Sequence, residues 1–129
     1  MTFVLGGVRF GIAICYDLRF AGLFSRYAAN GADCVIVQSA WPAARMRHWD
    51  LFIAARAAEF QLYVLGVNTT GVTPVDTYCG GSLLADPTGD IEASAGGEEG
   101  IFTAVIDPEA VREARERLPV WKDRMNRGE

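Results

Sequence analysis

Lysine is almost absent from this 129-residue chain: of its 12 basic residues all but Lys122 are arginine. Histidine is as scarce, with His48 the single one. Acidic residues outnumber basic ones, 16 to 12, and the net charge of −4 gives no general attraction to nucleic acid or to an anionic membrane. No apolar run approaches the ~20 residues that cross a bilayer, and the first residues lack the basic-then-apolar layout of a secretion signal. Three cysteines, at 15, 34 and 79, are an odd number without metal-ligand spacing. They imply neither a disulfide framework nor a metal centre, and reduced thiols in a cytoplasmic protein suit them better. Internal repeats and low-complexity tracts are missing too, so the chain reads as one domain, or one contiguous part of a domain, over residues 1–129.

What is present is an alternation of short apolar runs and longer helix-period stretches. With 50% hydrophobic and 22% charged residues the chain can close one modest core. Val8 to Ile14 predicts a first strand after a Gly6-Gly7 turn. Leu23, Phe24, Tyr27 and Ala28 then recur at helical spacing, and Asn30-Gly31 supplies a helix stop. Cys34 to Val37 predicts a second strand, apolar on both faces as parallel strands tend to be. A second helix covers about residues 47–61, with Trp49, Phe52, Ile53 and Phe60 on its stripe and Arg56 inside it. YVLGV, residues 63–67, reads as a third strand, followed by a loop rich in Thr and Gly. Asp86-Pro87-Thr88-Gly89 joins two further strands, residues 100–106 read as a last one, and Asp107 with Pro108 opens a final helix along Val111, Ala114 and Leu118. Pro119 ends that helix, and a charged tail follows. This order implies an α/β layered architecture.

The stretch GIAICYDLRF, residues 11–20, concentrates the chemical question. Cys15 falls where the first strand gives way to a helix. Sites in α/β sheets gather at the carboxyl ends of strands. A thiol there also meets free amides and the positive end of a helix, which favour thiolate. The alternative is a small apolar residue filling a core. His48 could serve such a thiol as base, or simply begin a helix beside Trp49. Arg56 and Glu59 stand three apart and meet on one helix face. They read as a structural pair whose loss costs stability sharply, with a catalytic Glu59 the lesser reading.

Taken together, GIAICYDLRF, VQSAWP, HW with ARAAEFQLYVLGVN a few residues on, GGSLLADPTGDI and WKDR follow one another as in the nitrilase superfamily of carbon–nitrogen hydrolases. The chain resembles the amidase-like branches, including the ω-amidases, and resembles the C-terminal half of the family's αββα sandwich. That resemblance implies an amidase-like hydrolase without metal or cofactor. In it Cys15 is the nucleophile on a small amide or nitrile, and the amide of Tyr16 helps form the oxyanion hole. Ser39, Ala40 and Trp41 border the substrate pocket. Where the usual proline follows CYDLRF, this chain has Ala21. The family's general-base Glu and its Lys lie upstream of the cysteine, yet none of the fourteen residues before Cys15 is Glu or Lys. The expectation is therefore an isolated chain with little activity, completed by a longer gene product or a separately encoded N-terminal half. The alternative is a non-catalytic, self-associating module or gene fragment. A homodimer or larger assembly is expected through the helices near 20–30 and 47–61.

Overall fold

The computed structural model describes residues 1–128. Its frame is a six-stranded sheet in the order β1-β2-β3-β4-β7-β8, with a separate two-stranded sheet β5-β6. The strands are β1 (Thr2–Leu5), β2 (Val8–Ile14), β3 (Cys34–Ser39), β4 (Tyr63–Asn68), β5 (Thr70–Val72), β6 (Thr77–Cys79), β7 (Leu83–Ala85) and β8 (Ile91–Ser94). The helices are α1 (Ala21–Ala29), α2 (Met46–Phe60), α3 (Pro108–Arg117) and α4 (Val120–Asn126). β2, β3 and β4 run parallel, while β1, β7 and β8 extend the sheet antiparallel at its flanks.

The crossovers put α1 and α2 on one face, where Ala13, Val35, Val37 and Val64 meet Phe24, Trp49, Ile53 and Phe60 in one core. Glycine sets the approach at two points. A Cβ on Gly66 would stand 2.4 Å from Ile53 Cδ1 and 2.6 Å from Trp49 Cζ2, and one on Gly11 would stand 2.7 Å from the Tyr27 ring. The glycine in YVLGV is therefore where α2 lies on β4. The helix layer sits on one face, as expected, with one addition. On the second face α3 brings Val111, 1% exposed, against Val8, Cys34, Tyr63 and Leu84. Beyond that cluster the second face stays partly open, with Ile12, Val67 and Ile14 at 37%, 41% and 64% exposure.

Several local readings hold. Gly6 and Gly7, at φ 58° and 80°, turn a hairpin between β1 and β2. The Asp86 carboxylate accepts from the amides of Thr88 and Asp90 in the β7–β8 turn. Asp107 caps α3 by accepting from the Glu109 amide at 3.0 Å.

Others need correction. Residues 100–106 form no strand: they find no ladder partner among the described residues, and Ile101 and Val105 are exposed. An apolar run becomes a strand only when a neighbour supplies its hydrogen bonds. Leu118 leaves the α3 stripe and stands 63% exposed as the C-cap. The charged tail contains the short helix α4, and the Thr- and Gly-rich loop contains the β5–β6 hairpin. Within the stripes of α1 and α2, Phe24, Trp49 and Ile53 are fully buried against the chain's own sheet, while Leu23 and Phe52 are only partly buried. Exposed apolar surface on α2 reduces to residues such as Leu51, 56% exposed.

Candidate active site

β2 ends at Ile14, and the next five residues, Cys15–Arg19, wind into a 3₁₀ turn before α1. The junction requires a sharp change of direction, and Cys15 supplies it with φ 48°. Left-handed backbone at a non-glycine residue costs on the order of 1–3 kcal/mol and persists only where the surroundings enforce it. The enforcing contacts come from both sides. Asp17 reaches back so that its carboxylate accepts from the Ile14 amide at 2.9 Å. Leu18 is fully buried and anchors the turn in the core. From α2, Arg56 donates through Nε to the Leu18 carbonyl at 3.2 Å and through Nη2 to the Arg19 carbonyl at 3.0 Å. The start of a helical turn leaves its first amides without an intrahelical acceptor. The Tyr16 N–H, next to a half-buried thiol, is one of these.

The register carries this junction across the sheet. Ile14 pairs with Gln38, so Cys15 and Ser39 each come one residue later, and Ser39 pairs with Asn68. Cys15, one residue past the end of β2, thus lies level with Ser39 and Asn68, the last residues of β3 and β4. The Cys15 Sγ lies 3.9 Å from the Ala40 carbonyl oxygen, its one hydrogen-bond contact among the described residues. Ala40 is exposed, as a pocket wall would be. Ser39 is buried, and its hydroxyl has no partner among the described residues.

Trp41 departs from expectation. It is 2% exposed, packs against Trp49 at 5.5 Å between ring centroids, and donates its indole N–H to Arg45. It belongs to the core beneath the loop, because its own N–H and carbonyl are both held by Asn68. Asn68 itself is the residue that sequence reasoning passed over. Its amide nitrogen also donates to Gly80, and its backbone exchanges hydrogen bonds with the Ser82 hydroxyl. The only signal was an asparagine closing an otherwise apolar strand.

His48 is not brought to the thiol. Its Nδ1 faces Arg19 Nη1 at 3.3 Å, and Arg19 in turn lies over the Trp41 ring at 4.8 Å. Arg56 and Glu59 do meet, at 3.2 Å, but unequally: the arginine side chain is 9% exposed and the glutamate 41%. The three thiols also differ. Burial pushes the Cys34 thiol up to about 12, whereas Cys79 is exposed. Two clefts of about 640 and 630 Å³ lie elsewhere, one on the second sheet face under residues 95–106 and one between the carboxyl ends of α1 and α2 and the helices α3 and α4. Neither is lined by Cys15.

The chain thus combines a layered α/β fold with a strained, half-buried cysteine just past the end of a parallel strand. The chain belongs to the carbon–nitrogen hydrolase family, which matches residues 2–116. It is 40% identical over 121 residues to a 2-oxoglutaramate amidase of Bacillus subtilis, covering 94% of this chain and 47% of that protein. It is 38% identical over 112 residues to an ω-amidase of Escherichia coli, covering 85% and 43%. Among solved structures, Nit3 of Saccharomyces cerevisiae, a member of the nitrilase superfamily, superposes with a TM-score of 0.85 at 34% identity, covering 92% of this chain and 45% of that one. The chain spans about half the length of the curated relatives it matches.

Proposed function

We propose that this chain carries the nucleophile of an amidase acting on a small carboxylic amide, and that Cys15 is that nucleophile. The observation that carries the reading is the backbone of Cys15. A strained φ of 48° at the carboxyl end of a parallel strand is a cost that core filling alone does not require. In the proposed reaction the thiolate sulfur bonds to the amide carbon, and the carbonyl electron pair moves onto oxygen, where the Tyr16 N–H stabilises it. Collapse breaks the C–N bond, and the nitrogen leaves as ammonia after taking a proton. Water then attacks the thioester, the acid departs and the thiol is regenerated. Ala40 borders the substrate, and Ser39 supports that wall from below.

Two proton transfers in this scheme need a base and an acid, a contribution of about 10²–10⁴-fold. Among the described residues the Cys15 thiol hydrogen-bonds only to the Ala40 carbonyl, Asp17 is engaged by Ile14, and His48 faces Arg19. We therefore expect little amide turnover from these 129 residues alone, with the Glu and Lys that the family resemblance implies supplied from outside them. A second reading, a non-catalytic module that associates with itself, draws on the partly open second sheet face. In either case a cytoplasmic setting suits the free thiols.

The test is ammonia release from 2-oxoglutaramate and a panel of short amides and nitriles, in wild type and Cys15→Ala. Slight turnover abolished by Cys15→Ala is the expected result. Turnover that survives Cys15→Ala overturns the nucleophile assignment. Rapid turnover lost in that variant shows that the chain holds its own base, with His48 the first suspect.

A further inference from the structure

Arg56 is 8% exposed in the middle of α2, and its fork spends itself on backbone. Nε and Nη2 donate to the carbonyls of Leu18 and Arg19, the last two residues of the turn that Cys15 begins. Nη1 goes to Glu59, and the guanidinium plane lies 5.1 Å from the Phe52 ring centre and 5.9 Å from that of Phe24. An arginine needed only for packing would not have to reach across to carbonyls 37 and 38 residues away in sequence. The planar fork can span two adjacent carbonyls at once, which a single ammonium cannot match in geometry. Asp17 fixes the front of the same turn through the Ile14 amide. Cys15 is thus held between a carboxylate clamp before it and a guanidinium clamp after it.

We propose that Arg56 is a positioning residue for Cys15: the helix α2 locks the thiol in its strained, half-exposed placement through the Leu18 and Arg19 carbonyls. This deepens the reading of Cys15 as nucleophile and rests on it. Without the fork the turn relaxes toward extended backbone, and the thiol swings from its place beside the Tyr16 amide. Glu59 holds the outer edge of the guanidinium and takes no part in the turn.

The experiment is the rate of carbamidomethylation of Cys15 by iodoacetamide in the whole chain, resolved by mass mapping, with exposed Cys79 as internal reference. Arg56→Ala is expected to lower the Cys15-to-Cys79 ratio roughly tenfold, within the hundredfold that a misplacement of about 1 Å can cost a reacting group. Added methylguanidinium restores it, which a general loss of packing would not allow. Arg56→Lys keeps the charge without the fork and covers the case in which Arg56→Ala fails to fold. It is expected to lower the ratio as well. An unchanged ratio in either folded variant, or rates of Cys15 and Cys79 that fall together, overturns the proposal. No amide turnover enters this measurement, so failure of the amidase reading would appear separately, as correct labelling without hydrolysis.

Discussion

Asn68 grips Trp41 from both sides of its backbone, accepting from its N–H at 2.7 Å and donating to its carbonyl at 3.2 Å. The grip fixes the loop that carries Ala40 to within 3.9 Å of the Cys15 thiol. One asparagine at the end of β4 thereby sets the loop beside Cys15, which follows the end of β2, two strands away. Asn68→Ala strands the buried Trp41 N–H and the carbonyl of Gly80, at about 1–3 kcal/mol for each unsatisfied group. Urea unfolding should report a loss of at least about 2 kcal/mol. A change within about 0.5 kcal/mol, the scale of an ordinary surface substitution, would contradict that role.

Arg56 and Glu59 should behave differently although they touch. Glu59 is 41% exposed, so solvent screens its charge, and Glu59→Ala should cost only about 0–1 kcal/mol. This replaces the sharp loss expected from a fully buried pair. Arg56→Met keeps the apolar stem but orphans the carbonyl of buried Leu18, and should cost about 1–3 kcal/mol. Paired thermal melts decide it: equal losses would contradict the asymmetry.

The contrast marks what the sequence could disclose. Strand β2, the stop at Asn30-Gly31, the Asp86 turn and the Asp107 cap are local, written in a few adjacent residues, and they were legible. The segment 100–106 looks like a strand in the sequence and is none, because its apolar character says nothing about whether a partner strand lies beside it. β1 and the β5–β6 hairpin were missed for the converse reason: their pairing, not their composition, makes them strands. The site divides in the same way. Cys15 and Tyr16 stand out in the sequence only as candidates after a strand, and the structure sets the Ala40 carbonyl 3.9 Å from the Cys15 thiol. The grips of Asn68 and Arg56 join residues 27 to 38 apart, and no spacing in the sequence announces them.

The three thiols should separate by environment. Burial raises Cys34 from 9.0 to about 12 in the folded chain, with the nearby Asp33 charge adding to the rise and a backbone hydrogen bond from Leu65 opposing it. Folded protein should therefore leave Cys34 unlabelled by iodoacetamide at neutral pH, while Cys15 reacts faster than the exposed Cys79. Because the folded value lies above the unfolded one, the native state holds the proton longer. Stability is complete below about pH 9 and falls from there toward pH 12. The alkaline decline in Tm should flatten in Cys34→Ala. A decline of unchanged slope would show that another group drives it.

Association should proceed through the open sheet face rather than through α1 and α2. Ile12, Val67 and Ile14 leave apolar surface there, and exposed patches of that kind invite pairing. Light scattering at micromolar concentration should give a homodimer or larger, and Val67→Lys should shift it toward monomer. A compact wild-type monomer would refute this, and an assembly indifferent to Val67→Lys would return the interface to the helices.

The identity of the nucleophile can be tested apart from the base and acid that amide hydrolysis requires. A p-nitrophenyl ester of a short acid has a leaving group that needs no proton, so a correctly placed thiol alone can open it. Brief exposure of the whole chain to such an ester, followed by acid quench and peptide mass mapping, should find the acyl group on Cys15 as a thioester sensitive to hydroxylamine. Little should appear on Cys79 and none on Cys34. An acyl group spread over Cys79 and the surface, with Cys15 spared, would contradict the account at its centre.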